Sequence, residues 1–368
     1  METQSGKPRT LILSLRNIFG PTLNRCAHYE FEDLICEIDN AELLAPALDP
    51  FGRRSSFATR LAYHAPVIMN PGLPRPPITG PYDLFFTICA FPHDLIMFNA
   101  IGDLKDICKT SICLLDELWI KEMTKNRHFL SILSKFDAVL LYQTQGVEKL
   151  SERIDRKCLY FPPAVDSILF CPYPDRPERS VDVYSIGRRS SVTHQKLLDM
   201  ARRNDFFYLY DSIRGQHALN WKEHRALFAN AAKRSRYFIV NPAKIDDPHE
   251  TGHQSEFGYR YFDGAAAGAI MIGECPDNEI FAALFDWPDA VIRFPWDSSQ
   301  IDDLIKDLDG DPDRQEEIRR TNVVQALLRH DWVYRWETIL EIAGLQPMRA
   351  MLQRKDRLRK LAECASSN

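Results

Sequence analysis

The chain has 368 residues, which exceeds one ordinary hydrophobic core and suits two domains of about 150–200 residues each. Apolar residues make up 45% of the chain and charged residues 26%, the proportions of a globular protein. The formal net charge of −5 gives no basic field of the kind that attracts nucleic acid, so we expect no nucleic-acid partner.

The cysteines and the first residues bear on the compartment. The nine cysteines include no Cys-x-x-Cys pair, which favours reduced, mostly buried thiols. The opening METQSGKPRT lacks the apolar core of a signal peptide. No apolar run reaches the ~18 residues that a membrane span requires. We therefore expect a cytoplasmic protein.

In the first half of the chain, short apolar runs alternate with helical patterns, which predicts β-α units and parallel sheets. Continuous apolar runs are typical of strands buried on both faces. The predicted strands are Thr10–Leu15, Leu84–Ala90, Ser111–Leu115 and Ala138–Tyr142. A helix is predicted over Ile120–Phe136, and the prolines of residues 64–82 predict a loop.

A second proline cluster, residues 162–177, predicts an interdomain connection, after which the β-α alternation restarts. The predicted strands there are Val181–Ile186, Phe206–Tyr210, Tyr237–Asn241, Ala269–Gly273 and Val291–Phe294. The predicted helices run from a Thr193 cap to about Arg203, and over Trp221–Lys233, Phe257–Ala267 and Asn278–Phe285. The sequence thus predicts an α/β protein with domains at residues 1–163 and 164–340 and a helical tail at 341–368.

Ligands of parallel sheets bind beside the carboxyl ends of the strands. The loops that follow predicted strands are Gly187–Val192, Pro242–Glu256 and Gly273–Asp277 in the second domain, and Phe91–Asp94 and Asp116–Trp119 in the first. We expect the functional residues in these loops.

Residues 249–253, HETGH, satisfy the His-Glu-x-x-His pattern of zinc metalloproteases, and Glu274 lies 21 positions further on. That zinc site needs both histidines one turn apart on a helix. Pro248 and Gly252, in a segment rich in aspartate, indicate a loop and not a helix. We therefore expect no metal. A lid that closes on a ligand and a solvated polar loop without a role both remain open.

The next segment, QSEFGYRYFDGAAAGAIMIGECPDN at 254–278, begins a helix whose small residues allow close packing on the sheet. Gly258 near its start lets a ligand approach the backbone. Helix N-termini attract phosphate through free N–H groups and the helix dipole. Asp263, about one and a half turns into the helix, is placed to accept hydrogen bonds from a ribose.

This segment resembles the donor-site signature of GT-B glycosyltransferases, in which a loop, a helix with an acidic residue and an AxG turn enclose a nucleotide sugar. FPPAVD at 161–166 resembles the hinge that opens their second domain, and VDVYSIGRRSSVTHQKLL at 181–198 resembles their first donor-domain strand, Gly-Arg loop and helix. HDWVYRWETIL at 330–340 resembles the C-terminal helices of a bacterial subgroup near the spore-maturation-protein-like glycosyltransferases. The resemblance implies two Rossmann-like αβα domains facing a cleft, with C-terminal helices.

The resemblance also implies roles for individual residues. Arg188 matches the basic residue that reaches the diphosphate, and Asp263 matches the ribose-binding acid. Arg260 matches an arginine that the subgroup often carries just before that acid. Some donor-binding residues are implied by the resemblance and others are derived from the sequence pattern. Together they are Gly187, Arg188, His194, Lys196, Glu256, Gly258, Arg260 and Asp263. Either His194 or Lys196 falls near a second basic position.

Two departures from the larger retaining families leave the stereochemical outcome open. Ser255 stands where their first glutamate is expected, with Glu256 displaced by one position, and aspartate replaces the second glutamate. The resemblance implies that arginine, lysine and a helix terminus neutralise the leaving diphosphate. We therefore expect neither a metal nor a cofactor.

On the acceptor side, an inverting enzyme needs a general base that is hydrogen-bonded to the acceptor hydroxyl. His93 in FPHD, and Asp116 and Glu117 in LLDELW, are the candidates. Each has a structural alternative. His93 could be a loop histidine beside Asp94, which would cap a helix. Asp116 and Glu117 could be acids at a helix start that serve only to interact with the helix dipole. Trp119 could stack on a sugar or belong to the core.

The sequence thus predicts a glycosyltransferase that moves a sugar from a nucleotide-diphosphate sugar to a hydroxyl of a glycan, a lipid-linked or another acceptor. The alternatives are another two-domain nucleotide-sugar enzyme, such as an epimerase, and a catalytically silent nucleotide-binding scaffold. The tail from Met348 to Ala362 predicts a basic amphipathic helix. Such a helix is either solvated or in peripheral contact with the inner face of a membrane that carries a lipid-linked acceptor.

Overall fold

A computed structural model of the chain divides into two compact units. The first comprises Met1–Pro162, His217–Trp221 and Arg335–Gln353, and the second comprises Pro163–Gln216, Lys222–Tyr334 and Arg354–Asn368. The structure describes residues 7–20, 22–47, 58, 60, 61, 63, 64, 69–75, 78, 80–203, 205–211 and 220–367. Within the predicted loop at 64–82, Pro66, Pro76 and Pro77 lie outside the described residues.

The first unit is built on a sheet whose described strands are all parallel. They are β1 Thr10–Leu13, β2 Ala41–Leu44, β3 Tyr82–Cys89, β4 Cys108–Leu115, β5 Ala138–Leu141 and β6 Cys158–Tyr160, in the order β2-β1-β3-β4-β5-β6. The four predicted strands are confirmed, because continuous apolar runs are buried on both faces of a parallel sheet. The two edge strands were not predicted, since they are short and only partly buried.

Short helices connect these strands. The helices are α1 Arg16–Phe19, α2 Cys26–Ile38, α3 Leu104–Ile107, α4 Arg127–Leu130 and α5 Val147–Ile154, with 3₁₀ turns at Leu23–Arg25 and Pro92–Ala100. The prediction of one helix over Ile120–Phe136 is wrong, because α4 lies between 3₁₀ turns at Ile120–Glu122 and Ser131–Lys135. The residues buried here, 129, 130, 132, 133 and 136, recur at a period close to three, which matches a 3₁₀ turn better than an α-helix.

The second unit contains another sheet whose described strands are parallel. They are β7 Val181–Ser185, β8 Tyr208–Tyr210, β9 Ser235–Val240, β10 Ile270–Gly273 and β11 Ile292–Arg293, in the order β11-β10-β9-β7-β8. The predicted strands are all present, with ends that differ from the predicted ones by at most two residues. The prediction of two αβα arrangements is thereby confirmed for each unit by itself.

The remaining helices follow in chain order. They are α6 Ser167–Phe170, α7 Ser191–Arg203, α8 Trp221–Lys233, α9 Pro248–Thr251, α10 Arg260–Ala266, α11 Glu279–Leu284, α12 Ile301–Asp309, α13 Pro312–Arg329, α14 Trp332–Ala343 and α15 Arg349–Ser366. Thr193 does not cap α7 as predicted. Instead the Ser190 hydroxyl accepts hydrogen bonds from the Val192 and Thr193 N–H groups, and the buried Thr193 hydroxyl donates to the Trp296 carbonyl.

The tail forms the amphipathic helix α15, as predicted. Met351, Leu358 and Ala362 are buried, so this apolar face packs within the protein. Arg354 is held by Asp331 and Asp166 and therefore does not belong to the solvent-facing charges. No helix among the described residues is both long and apolar enough to cross a membrane. All nine cysteines are free thiols.

The strand order of each sheet reverses at one place. In the first unit the chain leaves β1 towards β2 and then returns to β3 on the other side of β1. In the second unit the chain leaves β7 towards β8 and then returns to β9 on the other side of β7, so the reversal lies between β7 and β9. Loops that diverge from such a reversal open a crevice at the carboxyl ends of the strands, where parallel sheets bind their ligands.

Two glycines allow close packing beside the second reversal. A Cβ at Gly264 in α10 would lie 2.8 Å from the Met271 sulfur and 2.9 Å from the Phe238 ring. The small residues therefore bring α10 close to the sheet, as the sequence predicted. Gly273 ends β10 with φ +154°, and a Cβ there would overlap the Val240 carbonyl. The carboxyl ends of β9 and β10 can approach this closely only with glycine at that position.

We expect Gly273→Ala to lower the free energy of unfolding by at least about 2 kcal/mol, because both the backbone angle and the Val240 carbonyl exclude a side chain. Gly102→Ala is the matched control, since its added Cβ meets no atom within 4 Å. Urea denaturation of both variants gives the comparison. Equal stability of the two variants would contradict the packing described here.

Candidate active site

The loop after β7 lies against the first residue of α10. Gly187 has φ +83°, and any side chain there would collide with the guanidinium of Arg260. The Gly187 N–H donates to Asp211 Oδ1 at 2.8 Å, and Arg189 pairs with the same carboxylate. The structure therefore brings together Gly187 and Arg260, which the sequence placed in separate donor-site motifs.

Arg260 is an unusual cation for this position. The residue is only partly exposed, and its Nε is buried without a hydrogen-bond acceptor among the described residues. Burial lowers the pKa of the Arg260 guanidinium, although the charges of Asp263 and Asp211 act in the opposite direction. A buried donor left unsatisfied costs about 1–3 kcal/mol, and more when the group is charged. An anion at this loop would remove that cost.

Arg188, the next residue of the loop, is already paired. Its Nη1 lies 2.7 Å from Asp246 and its Nη2 3.7 Å from Glu250, both in the loop after β9. The Arg188 side chain is 44% exposed. Exposed ion pairs of this kind contribute only about 0–1 kcal/mol. A diphosphate could therefore replace the two carboxylates at little cost.

The HETGH segment forms one helical turn. Asp247 caps α9, Pro248–Thr251, by accepting from the Glu250 N–H at 2.8 Å. The prediction of a loop without helix is thus wrong for these four residues. Gly252 and His253, with φ +64° and +65°, lie beyond the helix end, so His249 and His253 do not occupy successive turns. No group of three or more His, Cys, Asp or Glu that could hold a metal occurs among the described residues. Independence from metal stays a prediction.

Asp263 does not face open space as the sequence analysis placed it. It is 2% exposed, and its Oδ1 accepts from Arg225 Nη2 at 3.0 Å. The Arg225 guanidinium in turn lies 4.7 Å from the centre of the Phe170 ring. The fourth residue of α10 lies on the inner face of that helix, which explains the burial. A role in binding ribose stays a prediction.

The two candidates for the second basic position lie apart. His194 Nδ1 is 2.8 Å from the Tyr208 hydroxyl, and the histidine lines a small cavity at the carboxyl edge of the sheet, together with Arg189. Burial lowers the pKa of His194, and the charge of Arg189 lowers it further. Lys196 instead pairs with Asp302 on α12 at 2.6 Å. Of the two, only His194 lies beside the strand ends.

Glu256 and Gly258 precede α10. Glu256 is buried, and its carbonyl accepts from the Ala243 N–H at 2.7 Å, which closes the base of the loop after β9. A Cβ at Gly258 would meet no atom within 4 Å. The space beside Gly258 is therefore open to a ligand, as expected, while the side chain of Glu256 is enclosed by protein.

In the first unit, Asp116 follows β4 and pairs with a histidine that the sequence analysis missed. His28 Nε2 lies 2.8 Å from Asp116 Oδ2. The His28 side chain is 2% exposed, whereas that of Asp116 is 22% exposed. The only sequence signal was a histidine in the apolar helix α2, a pattern that more often marks a core residue.

More charged groups surround the ends of β1 and β3. Glu32, one turn after His28, accepts from the Ser14 hydroxyl at 2.5 Å and from Arg16 at 2.8 Å. Burial raises the pKa of Glu32, although the charge of Arg16 lowers it. Glu32, Ser14 and Arg16 therefore form an oriented polar network one helical turn from His28, next to the His28–Asp116 pair.

The other two acceptor-side candidates have structural partners. His93 stacks on Phe91 with ring centres 5.4 Å apart, and burial lowers the pKa of its imidazole. Its neighbour Asp94 is buried and accepts both nitrogens of Arg25 at 2.8 and 3.0 Å. Glu117 accepts from the indole N–H of Trp119 at 2.8 Å.

Trp119 is 1% exposed, so it belongs to the core and is not available to stack on a sugar. Asp116 retains more exposure than the carboxylates buried around it, and its histidine partner fixes its orientation. Among the three sequence candidates, Asp116 therefore has the geometry closest to that of a general base.

The comparisons with known proteins agree with this architecture. Residues 188–341 match a family model described as "Glycosyl transferase-like". The chain is similar in structure to Anabaena HepE in complex with UDP and glucose, with a TM-score of 0.56, 11% identity and coverage of 91% of this chain and 99% of that one. The fold is that of GT-B glycosyltransferases. A comparison with curated proteins gives no significant match.

Two further structures have the same fold. The HepE complex with UDP-glucose gives a TM-score of 0.53, with 12% identity and coverage of 91% of this chain and 99% of that one. An α-glucosyltransferase in complex with UDP-glucose and DNA containing an abasic site gives 0.52, with 10% identity and coverage of 92% and 100%. The family match supports glycosyl transfer, with the acceptor unspecified. The two HepE structures of this fold contain UDP and glucose or UDP-glucose.

The burial of Asp263 changes the expected effect of mutating it. We expect Asp263→Ala to lower the free energy of unfolding by about 3–5 kcal/mol, because it removes the carboxylate paired with buried Arg225. Asp356→Ala is the control, since Asp356 and its partner Arg359 are both more than half exposed. Urea denaturation should show no measurable loss for the control. Similar losses in the two variants would contradict a buried Arg225–Asp263 pair.

Proposed function

We propose that the second unit binds the diphosphate of a nucleotide sugar between the loop after β7 and the start of α10. The observation that carries the proposal is Arg260, whose buried Nε has no acceptor among the described residues and whose guanidinium lies against Gly187 at the strand-order reversal. Guanidinium groups match phosphate oxygens in charge and geometry. The open space at Gly258 lets a ligand reach the backbone in the same region.

Arg188 acts at a later stage than Arg260 in this proposal. Negative charge grows on the diphosphate as its bond to the sugar breaks, so a cation that engages it there stabilises the transition state more than the ground state. The pairs of Arg188 with Asp246 and Glu250 hold the loop after β9 in place before a donor binds. Exchange of these carboxylates for phosphate oxygens would couple donor binding to movement of that loop.

For the acceptor, we propose Asp116 as the general base and His28 as its positioning partner. The hydrogen bond of 2.8 Å from the buried imidazole fixes one carboxylate oxygen, and the partial exposure of Asp116 leaves the group accessible to a substrate hydroxyl. His93 and Glu117 are weaker candidates because they engage Phe91 and Trp119. This assignment corresponds to an inverting reaction.

The finer parts of the proposal concern substrate and setting. Arg260 just before Asp263, and the HDWVYRWETIL segment, support membership of the subgroup near the spore-maturation-protein-like glycosyltransferases. UDP-glucose is the donor to test first, since structures of the same fold contain it, and a hexosyl transfer is proposed accordingly. We propose a glycan or lipid-linked acceptor, no metal or other cofactor, and action on the cytoplasmic side of a membrane.

We expect Arg260→Gln to abolish the thermal stabilisation that UDP gives the wild type and to slow hydrolysis of UDP-glucose by roughly 100-fold or more. The variant loses the cation that engages the diphosphate. Arg320→Gln is the matched control, because Arg320 lies on α13 and pairs with Glu317. A panel of nucleoside diphosphates extends the assay if UDP gives no shift. Wild-type nucleotide response in Arg260→Gln would overturn the donor site.

The same assays separate the two sides of the reaction. Asp116→Asn should keep the UDP response of the wild type, since the residue belongs to the acceptor-side unit, while it loses transfer to an acceptor. Loss of UDP binding in Asp116→Asn would contradict this division of roles. A protein that binds UDP but never releases sugar in water would instead be the silent scaffold.

The proposed membrane contact is electrostatic, because the apolar face of α15 is buried. Arg357, Arg359 and Lys360 are exposed. Each basic residue near an anionic surface contributes about 1 kcal/mol. We expect co-sedimentation with anionic but not neutral vesicles, and its loss when all three are changed to glutamine. Equal sedimentation with both vesicle types would count against membrane binding.

A further inference from the structure

A second group of cations lies at the amino ends of the strands of the second sheet. The loops that follow β7 and β9 lie at the opposite, carboxyl ends of these strands. Arg179 Nη1 donates to the carbonyl of Ser235, the first residue of β9, at 2.6 Å. Its Nη2 donates to the Ala267 carbonyl, just after α10, at 3.2 Å. Because β9 ends at Val240 beside the donor loops, these contacts lie at the amino ends of the strands. The cavity there has a volume of about 360 Å³ and lies within the second unit.

Four arginines line this cavity, and one carboxylate faces them. The arginines are Arg176, Arg179, Arg236 and Arg319, and the carboxylate is Glu316. Glu316 pairs with Arg176, while Arg236 pairs with Asp182 at 2.7 Å and with Asp309. Asp182 and Asp309, the two carboxylates that pair with Arg236, are not among the residues that line the cavity. The charge of the lining is therefore strongly positive.

Arg179 and Arg319 have no carboxylate partner within ion-pair distance among the described residues. Arg319 Nη2 donates to the neutral amide of Gln315 at 2.5 Å, and its buried Nε finds no acceptor in the part of the chain that the structure describes. Burial lowers the pKa of Arg179 to about 9, to which the charge of Arg319 contributes. Burial also lowers the pKa of Arg319. Two arginines whose positive charges repel each other therefore line one cavity.

Main-chain contacts keep Arg179 in place. The two carbonyl groups orient Arg179, and an added Cβ at Gly268 would lie 2.7 Å from Val323 Cγ2 and 3.1 Å from Arg179 Nη2. Glycine therefore allows the loop after α10 to pack against Arg179 and α13. Such an arrangement holds the guanidinium groups against their mutual repulsion, which favours a multiply charged anion over a single carboxylate.

We infer that this cavity is a second anion site, which binds a compound bearing a phosphate or diphosphate group between Arg179, Arg319 and Arg176. Phosphate oxygens would accept from the unsatisfied Arg319 Nε and offset the repulsion between the two arginines. The volume exceeds that of a single phosphate and admits a diphosphate with a substituent. The inference does not depend on the proposed donor site, which lies at the other edge of the sheet.

Calorimetric titration with sodium pyrophosphate tests this site. We use Arg260→Gln as the background, so that the proposed donor site contributes little to binding. Adding Arg319→Gln should weaken pyrophosphate binding at least 10-fold and remove the rise in melting temperature that pyrophosphate causes. Without anion, Arg319→Gln should melt no lower than its background, because it removes an uncompensated charge. Arg320→Gln, the next residue of α13, is the control that should bind normally.

Three results with these variants would overturn the inference. The first is equal pyrophosphate affinity in Arg319→Gln and Arg320→Gln. The second is a parallel loss of the UDP response when Arg319→Gln is made in the wild type, since that indicates general damage. If Arg319→Gln fails to fold, Arg176→Gln takes its place, because it alters an exposed side chain. This variant must weaken pyrophosphate binding at least 3-fold. Wild-type affinity for pyrophosphate in Arg176→Gln is the third result.

The chemical source of the phosphate is tested in the same background. Glucose 1-phosphate and vesicles containing phosphatidate present a soluble and a lipid-borne phosphate. An Arg319-dependent response to either supports the site and identifies which source fits. Absence of a response to pyrophosphate and to both of these compounds would overturn it.

Discussion

The contact between the Gly187 α-carbon and the Arg260 guanidinium sets the geometry at the carboxyl edge of the second sheet. It requires a glycine with φ +83° on one side and the first residue of a helix on the other. The close packing of α10 on β9 and β10, through Gly264 and Gly273, holds that helix start in place. A buried cation is then presented at the reversal of strand order, where a parallel sheet binds its ligand.

Arginines lie at both ends of the strands of this sheet, but their surroundings differ. At the carboxyl edge the acids Asp246 and Glu250 lie on the loop after β9 and pair with Arg188 through exposed, exchangeable contacts. At the amino edge, Arg179 donates to main-chain carbonyls that cannot exchange without disturbing β9 and α10. The first arrangement suits a substrate that binds and leaves during turnover, while the second suits an anion that stays bound to a fixed cavity.

The sequence predicted those parts of the fold that depend on continuous apolar runs. Buried strands such as β3 and β4 carry such runs, whereas β6 is a partly buried edge strand of three residues and has no such signal. In the site, motif resemblance identified Gly187 and Arg260 but could not show their contact. Neither His28 nor the burial of Asp263 was predictable, because each depends on a partner distant in sequence, Asp116 and Arg225 respectively.

In the proposed function, the charges of the two units serve different parts of one reaction. A leaving diphosphate needs cations that do not have to be reoriented when the sugar bond breaks, and Arg260 is fixed by its contact with Gly187. An acceptor hydroxyl needs a carboxylate that is oriented yet accessible, and the pair of His28 with Asp116 meets both conditions. In this proposal Asp263 is not the general base, because it is buried against Arg225 and cannot reach a hydroxyl in solvent. Burial thus distinguishes Asp263 from Asp116, whose side chain is 22% exposed.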